Sequence, residues 1–376
     1  MGQRHSTVEG LGRRPLSARM NILVTGNMGY VGPVVVRHLR GALPDAGVAG
    51  LDLGYFANHL TTLDGPPERI LDRQHFADVR DVPEHVLADI EAIVHLAAIS
   101  NDPIGNAFEE VTAAVNHRAT VELARRARDA RVRRFVFASS CSMYGFAEDE
   151  PRTEESPLDP LTAYARSKAA AERDLSSLAD DEFLITCLRF GTACGMSDRL
   201  RLDLVLNDFV AAAIAEGRIL ILSDGTPWRP LINVRDMARS VEWALVRDEG
   251  AAGPMLSLNV GAGDWNYQVR DLAEAVVAAV EGAELEIAAE AQPDSRSYRV
   301  SFDRFVSLAP DHQPRLTLEE TVHELVDGLR RIGFADAGFR HSSLIRLTVL
   351  DRLRRDGLLT DDLCWAGADR PAPTGV

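Results

Sequence analysis

The chain has 376 residues, 46% of them hydrophobic, enough for two domains or one large domain with an elaborated half. Its formal net charge of −15 argues against nucleic acid or an anionic membrane as a main partner, though a few arginines can still hold a small anion. No apolar run reaches membrane-span length, and Cys141, Cys187, Cys194 and Cys364 show neither a Cys-x-x-Cys pair nor a zinc spacing. Reduced thiols, a cytoplasmic chain and no metal are therefore expected.

Residues 1–19 are polar and arginine-containing, without an apolar h-region. They read as a disordered extension rather than a secretory signal. Asn21-Ile22-Leu23-Val24-Thr25 is a short apolar, β-branched run, the pattern of a buried strand. Gly26-Asn27-Met28-Gly29-Tyr30-Val31-Gly32 follows, and Pro33 to Leu39 reads as a helix with proline in its tolerated first turn. Gly-x-x-Gly-x-x-Gly between strand and helix is the setting of a dinucleotide-binding turn. The glycines admit a pyrophosphate and the helix N-terminus offers it N–H groups.

Val48 to Leu51 is a second strand, ending at Asp52, twenty residues after Gly32. A carboxylate there would bond a ribose 2′-OH and repel a 2′-phosphate. His75-Phe76-Ala77 leads to a third strand end at Asp78-Val79, within reach of an adenine edge. Ala92-Ile93-Val94-His95-Leu96-Ala97-Ala98 is a fourth buried strand, in which His95 reads as packed and the small residues let a cofactor lie close. Residues 107–130, with Asn116 inside, read as one long helix whose Arg125, Arg126 and Arg128 complement its dipole. Arg134 to Ala138 is a fifth strand that delivers Ser139 and Ser140 to its C-terminal edge, where open parallel sheets bind ligands. A helix over Ala163–Leu178 and a strand over Leu184–Arg189 complete an alternation that calls for an α/β, doubly wound parallel sheet.

Tyr164 and Lys168 are four apart on that helix and share a face. A lysine charge beside a phenol stabilises the tyrosinate, letting it act as a base below its reference pKa of about 10. Tyr-x-x-x-Lys also occurs on ordinary helices, so the pair gains meaning only from its company.

After residue 190 the alternation breaks down. Gly191–Gly195 reads as a loop, followed by a helix over Val205–Ala215 carrying Asn207 and Phe209, which could meet a nucleotide base or simply pack. Strands are expected at Ile219–Leu222, Leu256–Gly261 and around Leu285–Ile287, with a helix over Val269–Val280. Arg229 and Arg296 are the best candidates for a diphosphate, since arginine grips phosphate through two N–H groups; surface ion pairing is the alternative. Leu344, Leu347, Leu350 and Leu353, interleaved with arginines, predict a helix docked on the body, and Pro371 and Pro373 a frayed end.

Thr25-Gly-x-x-Gly-x-x-Gly32, Asp52, Asp78-Val79, His95-Leu96-Ala97-Ala98, Ser139-Ser140, Tyr144-Gly145, Tyr164-x-x-x-Lys168 and Leu188-Arg189-Phe190 occur in one order. That series resembles the extended short-chain dehydrogenase/reductase superfamily, in its NAD-dependent nucleotide-sugar epimerase/dehydratase branch, over about residues 20–310. The resemblance implies a Rossmann domain (20–190 plus 231–262) and a smaller α/β substrate-binding domain (191–230 plus 263–340); it assigns nothing to the tail (341–376), whose helix is read from its leucine spacing alone. It also implies NAD as cofactor, a nucleotide diphosphate sugar as substrate, and a homodimer through helices near 107–130 and 163–178.

By the same resemblance, Gly26, Met28, Gly29, Tyr30, Val31 and Gly32 would hold the NAD pyrophosphate, Asp52 the adenosine ribose, and Asp78 and Val79 the adenine. Leu96, Ala97, Ala98, Asn116 and Ser139 would line the rest of the cofactor. Tyr164 would be the base, Lys168 would also bond the nicotinamide ribose, and Ser140 the reacting oxygen. Ser100, Ser140, Asn207, Arg229 and Arg296 would meet substrate.

Two departures stand out. Where many relatives place an arginine before Gly-Asp, this chain has Ala291-Gln292-Pro293-Asp294, which would move the phosphate grip to Arg296 or Arg299. Where 4,6-dehydratases carry an Asp-Glu pair, it has Cys141-Ser142, disfavouring that elimination. Cys141 or Ser142 is then a candidate to assist proton exchange, with simple packing as the alternative for Cys141. The expected activity is an NAD-dependent epimerase acting by transient oxidation; the alternative is an NAD(P)-dependent oxidoreductase of a nucleotide sugar.

Overall fold

The computed structural model describes residues 20–147, 150–248, 250, 252–288 and 297–367. Its strands, in chain order, are β1 (Asn21–Thr25), β2 (Gly47–Asp52), β3 (Arg73–Phe76), β4 (Ala92–His95), β5 (Arg134–Ser140) and β6 (Leu184–Phe190). They continue with β7 (Thr192–Cys194), β8 (Arg218–Ile221), β9 (Trp228–Asn233), β10 (Met255–Val260), β11 (Asn266–Gln268) and β12 (Glu284–Ile287). Seven of them form one parallel sheet in the order β10-β6-β5-β4-β1-β2-β3.

Side chains alternate across each strand, and both faces of this sheet are covered, which is why the strands read as continuous apolar runs. Leu23, Ile93, Phe135 and Ile185 face one core; Ile22, Val24, Val94, Val136 and Leu188 face the other. The second face is covered by α1 (Gly32–Ala42) and by the later helix Val234–Val246. The first is covered by the short α2 (Glu84–Leu87), α3 (Asp102–Ala107), α4 (Glu109–Ala113), α5 (Thr120–Asp129) and α6 (Ala163–Leu175). Strand order reverses between β1 and β4, and the carboxyl ends of those strands open a crevice there.

A second layer sits over those ends. β9 lies between β7 and β11 in a three-stranded sheet, and β8 pairs parallel with β12. They are packed by α7 (Val205–Glu216), α8 (Val234–Val246), α9 (Val269–Ala279), α10 (Asp303–Leu308) and α11 (Leu318–Arg331). The C-terminal helix α12 (Arg346–Arg355) docks on the body, burying Val349 and Leu350 as the leucine spacing predicts.

Three local expectations change. The single helix over 107–130 is three segments, with a π-helical turn at Ala114–Ala119 between α4 and α5. Phe108 breaks the start with φ −132° and ψ 56°, and the wide turn carries Asn116 inward. The helix of Tyr164 ends at Leu175, because Ser176 and Ser177 donate back to Arg173 O and Asp174 O. Residues 192–194, read as loop, pair with Leu231–Asn233 of β9. Residues 1–19, 289–296 and 368–376 lie outside the described residues, and with them the terminal extension, the Ala291–Asp294 departure, Arg296, Pro371 and Pro373.

One buried ion pair ties α6 to the edge of the seven-stranded sheet. Arg189 on β6 meets Glu172 on α6 at 2.7 Å, both nearly solvent-free. Ser257 on β10 donates to the same carboxylate at 3.0 Å, and Arg189 donates to the Tyr144 hydroxyl at 2.9 Å. Glu172→Ala leaves a buried guanidinium uncompensated, so it is expected to destabilise the protein by about 3–5 kcal/mol in urea unfolding. A loss under about 1 kcal/mol, the range of a surface pair, would show that the pair is not what fixes these elements.

Candidate active site

The crevice widens into a cleft of about 1000 Å³ running from the β1–α1 turn to the second layer. At one end Gly26 takes φ +73°, and a Cβ there would lie 2.6 Å from Ala97 N. A Cβ on Gly32 would sit 2.5 Å from Asn27 Cα. Both positions therefore require glycine. α1 begins behind this turn with Val31 as N-cap and no side-chain cap or acidic residue in its first turn, a helix start suited to an anion.

Asp52 ends β2 beside the turn. It accepts from Met28 N at 3.0 Å and Gly54 N at 2.7 Å, while burial raises its pKa against those bonds. Asp78 and Val79 follow β3 along the same wall. Asp78 is held by Arg80 at 2.6 Å. The donor set fits a dinucleotide: open amides at a helix start for a diphosphate, and a carboxylate one strand away for a ribose.

The other end carries the hydroxyls and the ammonium expected to react. Ser139 and Ser140 close β5, and Ser140 Oγ accepts from Ser142 N at 3.1 Å and donates to Ser142 Oγ at 2.9 Å. Thr162 caps α6, accepting from Ala165 N at 3.2 Å and donating to Asp102 at 2.7 Å. This cap places Tyr164 in the first turn of the helix, with its hydroxyl bonded to Ser140. Burial, partly offset by that bond, lifts the Tyr164 phenol to about 12. Lys168, one turn further on, donates to Ala138 O at 2.7 Å and lies 4.5 Å from the Phe137 ring centroid and 5.7 Å from that of Tyr164. Burial brings its ammonium down to about 7.

Gly26, Gly29, Tyr30, Val31, Gly32, Asp52, Asp78, Val79, Leu96, Ala97, Ala98, Ser100, Ser139, Ser140, Ser142, Tyr164, Lys168 and Arg229 all line this one cleft. Four expected residues do not. Cys141 is buried against Tyr144, Tyr298 and Phe302, its thiol donates to Arg189 O at 3.1 Å, and burial pushes its pKa up, so the proposed proton exchange does not fit its place. Met28 turns its side chain into the protein and offers only its backbone N–H, to Asp52.

Asn116, set inward by the π turn, clamps the loop after β4: it accepts from Ile99 N at 2.8 Å, and donates to Ile99 O at 2.9 Å and Ser167 Oγ at 3.1 Å. Asn207, buried, accepts from Gly195 N and donates to Arg201 O and the Tyr30 hydroxyl. Both hold the walls rather than face the space. His95 is packed between Thr25 and Thr120, as its strand context suggested, and burial lowers its pKa to about 3.

The sequence reading missed Arg201, Asp102, Thr162, Tyr298 and Arg346, all on the cleft wall. Thr162 directly before the helix was a legible capping signal. Arg201 lay in a run of alternating charge and Arg346 at the start of an arginine-rich helix, with nothing local to mark either as buried.

A sequence model of the NAD dependent epimerase/dehydratase family matches residues 22–261. The low-salt glycan biosynthesis protein Agl12 of Haloferax volcanii is 27% identical over 314 residues, 82% of this chain and 98% of its own length. A dTDP-glucose 4,6-dehydratase of Streptomyces griseus is 31% identical over 250 residues, 64% of this chain and 74% of its own. The solved structure of MoeE5 in complex with UDP-glucuronic acid and NAD matches with a TM-score of 0.69 at 26% identity, over 83% of this chain and 99% of that one. Proteins named as dehydratases and as UDP-glucose 4-epimerases match comparably and do not separate the two outcomes. The chain belongs to the NAD dependent epimerase/dehydratase family, with a Rossmann-type fold and NAD as its cofactor.

Proposed function

We propose that the protein is an NAD-dependent epimerase of a nucleotide diphosphate sugar. Bound NAD supplies a hydride acceptor for oxidising a sugar alcohol to a ketone and a hydride donor for reducing it from the other face. Tyr164 Oη takes the hydroxyl proton and later returns it. Ser140 Oγ steadies the reacting oxygen. Lys168, fixed on Ala138 O, sets a positive charge beside Tyr164 that favours the phenolate over the phenol, which burial alone would keep protonated. Arg229 on the far wall is assigned to the substrate diphosphate.

The observation that carries epimerisation over dehydration is the strip after Ser140. Expelling water from a keto sugar requires an acid for the departing hydroxide and a base for the neighbouring carbon's proton. The strip offers instead the Ser142 hydroxyl, bonded to Ser140, and a Cys141 thiol turned to Arg189 O. Without an acid–base pair there, the ketone's remaining course is reduction.

Purified protein incubated with UDP-, dTDP-, GDP-, CDP- and ADP-sugars is expected to convert one of them to its epimer, followed by NMR, with no net NADH. Accumulation of NADH, or of an unsaturated or deoxy product, would overturn the assignment. Tyr164→Phe is expected to lower turnover at least about a thousandfold, in line with the loss of a general base, while calorimetry finds NAD affinity nearly unchanged.

Lys168 also gives a pH signature. Its folded pKa of about 7 lies below the ordinary 10.5, so between those values the unfolded chain binds the extra proton and stability rises with pH. Lys168→Met removes that penalty. In denaturant titrations of the cofactor-free protein, its stability advantage over wild type is expected to be largest below about pH 7 and to shrink toward pH 10.5. An advantage that grows with pH would contradict the buried-ammonium picture.

A further inference from the structure

Three buried arginines converge behind the Asp52 end of the cleft, and they are not equivalent. Arg199 pairs with Glu68 at 2.6 Å and donates to the backbone of Phe56 and Ala57. Arg201 pairs with Asp203 at 2.6 Å and donates to Ser100 Oγ at 2.8 Å. Arg346, the first residue of α12, is 2% exposed and has no carboxylate within 4.0 Å among the described residues. Its Nη2 donates to Arg199 O at 2.7 Å, and its guanidinium carbon lies 4.2 Å from the Phe56 ring centroid. Its Nη1 is buried with no hydrogen-bond partner. Burial first, and Arg201 next, disfavour its charge; Asp203 and Asp52 favour it from farther off, without outweighing burial. A guanidinium does not shed its proton, so this side chain is a buried cation with a spare donor on the wall of a cleft.

The surroundings say which anion it suits. Asp52 and Phe56 place Arg346 beside the ribose end, and Arg201 reaches Ser100 in the loop after β4. The uncapped N-terminus of α1 opens on the same space. The segment that carries Arg346 is also fastened to that end. The Tyr55 hydroxyl donates to Leu363 O, Trp365 Nε1 donates to Leu53 O at 2.8 Å, and Arg80 donates to Asp362 O at 2.7 Å. Leu53 and Tyr55 follow β2, and Arg80 follows β3, so the chain's last described residues strap the loops expected to hold adenosine.

We propose that Arg346, backed by Arg201, is a second diphosphate site facing the glycine turn, and that residues 346–365 clamp the NAD pyrophosphate from the side opposite α1. The site's chemistry is that of any diphosphate, and its position assigns it to the cofactor rather than to the substrate. The proposal rests on NAD binding and holds whether the net reaction is epimerisation or another outcome.

The test uses the full-length protein freed of cofactor, with Arg346→Met to keep the packing on Phe56. Calorimetry against NAD and ADP-ribose is expected to show a Kd raised about 10- to 100-fold, the scale of a lost charge-assisted contact. Adenosine, which lacks the diphosphate, and UDP or dTDP should bind as to wild type. NAD should also wash out faster on gel filtration. Unchanged NAD affinity, an equal loss for adenosine, or a loss confined to UDP or dTDP would each overturn the proposal. If the Met variant lacks the wild-type circular dichroism, Arg346→Lys decides by the same comparison. There a several-fold loss on NAD and ADP-ribose alone supports the clamp, and an unchanged Kd refutes it.

Discussion

The contact between Glu172 and Arg189 is the constraint on which the site depends. Arg189 spends its donors on Glu172 and Tyr144, and its carbonyl receives the Cys141 thiol. Tyr144 passes the link on, donating to Asn259 Oδ1 on β10 at 2.7 Å. Four elements are therefore locked in one buried polar network: β6, α6, β10 and the turn after β5. Such a network is stable only when every member is satisfied. Its geometry leaves little freedom to the end of β5, which carries Ser140, or to α6, which carries Tyr164 and Lys168. Ser140, Tyr164 and Lys168 are thus placed by the network beneath them as well as by the Ser140–Tyr164 bond.

This arrangement explains how much of the protein could be read from its residues. Motifs whose meaning is local were legible. Gly26 and Gly32 sit where a Cβ would strike backbone, Asp52 closes its strand, and Tyr164 and Lys168 share a helix face. These follow from strand–turn–helix context and helical spacing, which a sequence displays directly. Misplaced residues were those whose role depends on direction. Cys141 adjoins Ser140 in sequence, yet successive residues at a strand end point opposite ways, and the thiol enters the core with Tyr144 and Phe302. Asn116 was expected on the cofactor wall, but a π turn rotates it onto Ile99. Spacing arguments assume 3.6 residues per turn and cannot see an inserted residue. Arg346 was hidden for a third reason. In a helix rich in arginine, nothing distinguishes the one whose partner is absent from those that face solvent.

The electrostatics of the cleft follow from its dryness. Asp52 and Lys168 are both pushed toward their neutral forms, and Tyr164 is kept a phenol, in each case with burial as the largest cause. Burial thus works against every ionised group that the chemistry needs. The opposing contributions are specific ones: two backbone amides on Asp52 and the Ser140 hydroxyl on Tyr164. The protein alone does not stabilise the charged site fully, so much of its charge pattern is arranged for a bound partner.

The same reasoning applies to the distribution of cations. Arg199 and Arg201 are neutralised inside the protein by Glu68 and Asp203, at 2.6 Å each. Packed beside them, Arg346 would be more stable as an apolar residue of similar length if its only task were to cover Phe56. A charge retained in that position meets repulsion from Arg201 and Arg199, gains only partial compensation from Asp203 and Asp52, and leaves Nη1 unmatched. An enzyme that oxidises and then reduces the same molecule gains nothing from releasing its cofactor between steps, so contacts that slow release are consistent with such a cycle. In this chain those contacts come from a segment beyond the family-matched residues 22–261, fastened by Trp365 and Leu363 to the loop after β2. On the proposed clamp, cofactor retention is separated from the Rossmann turn itself, whose glycines and helix N-terminus offer only neutral amides.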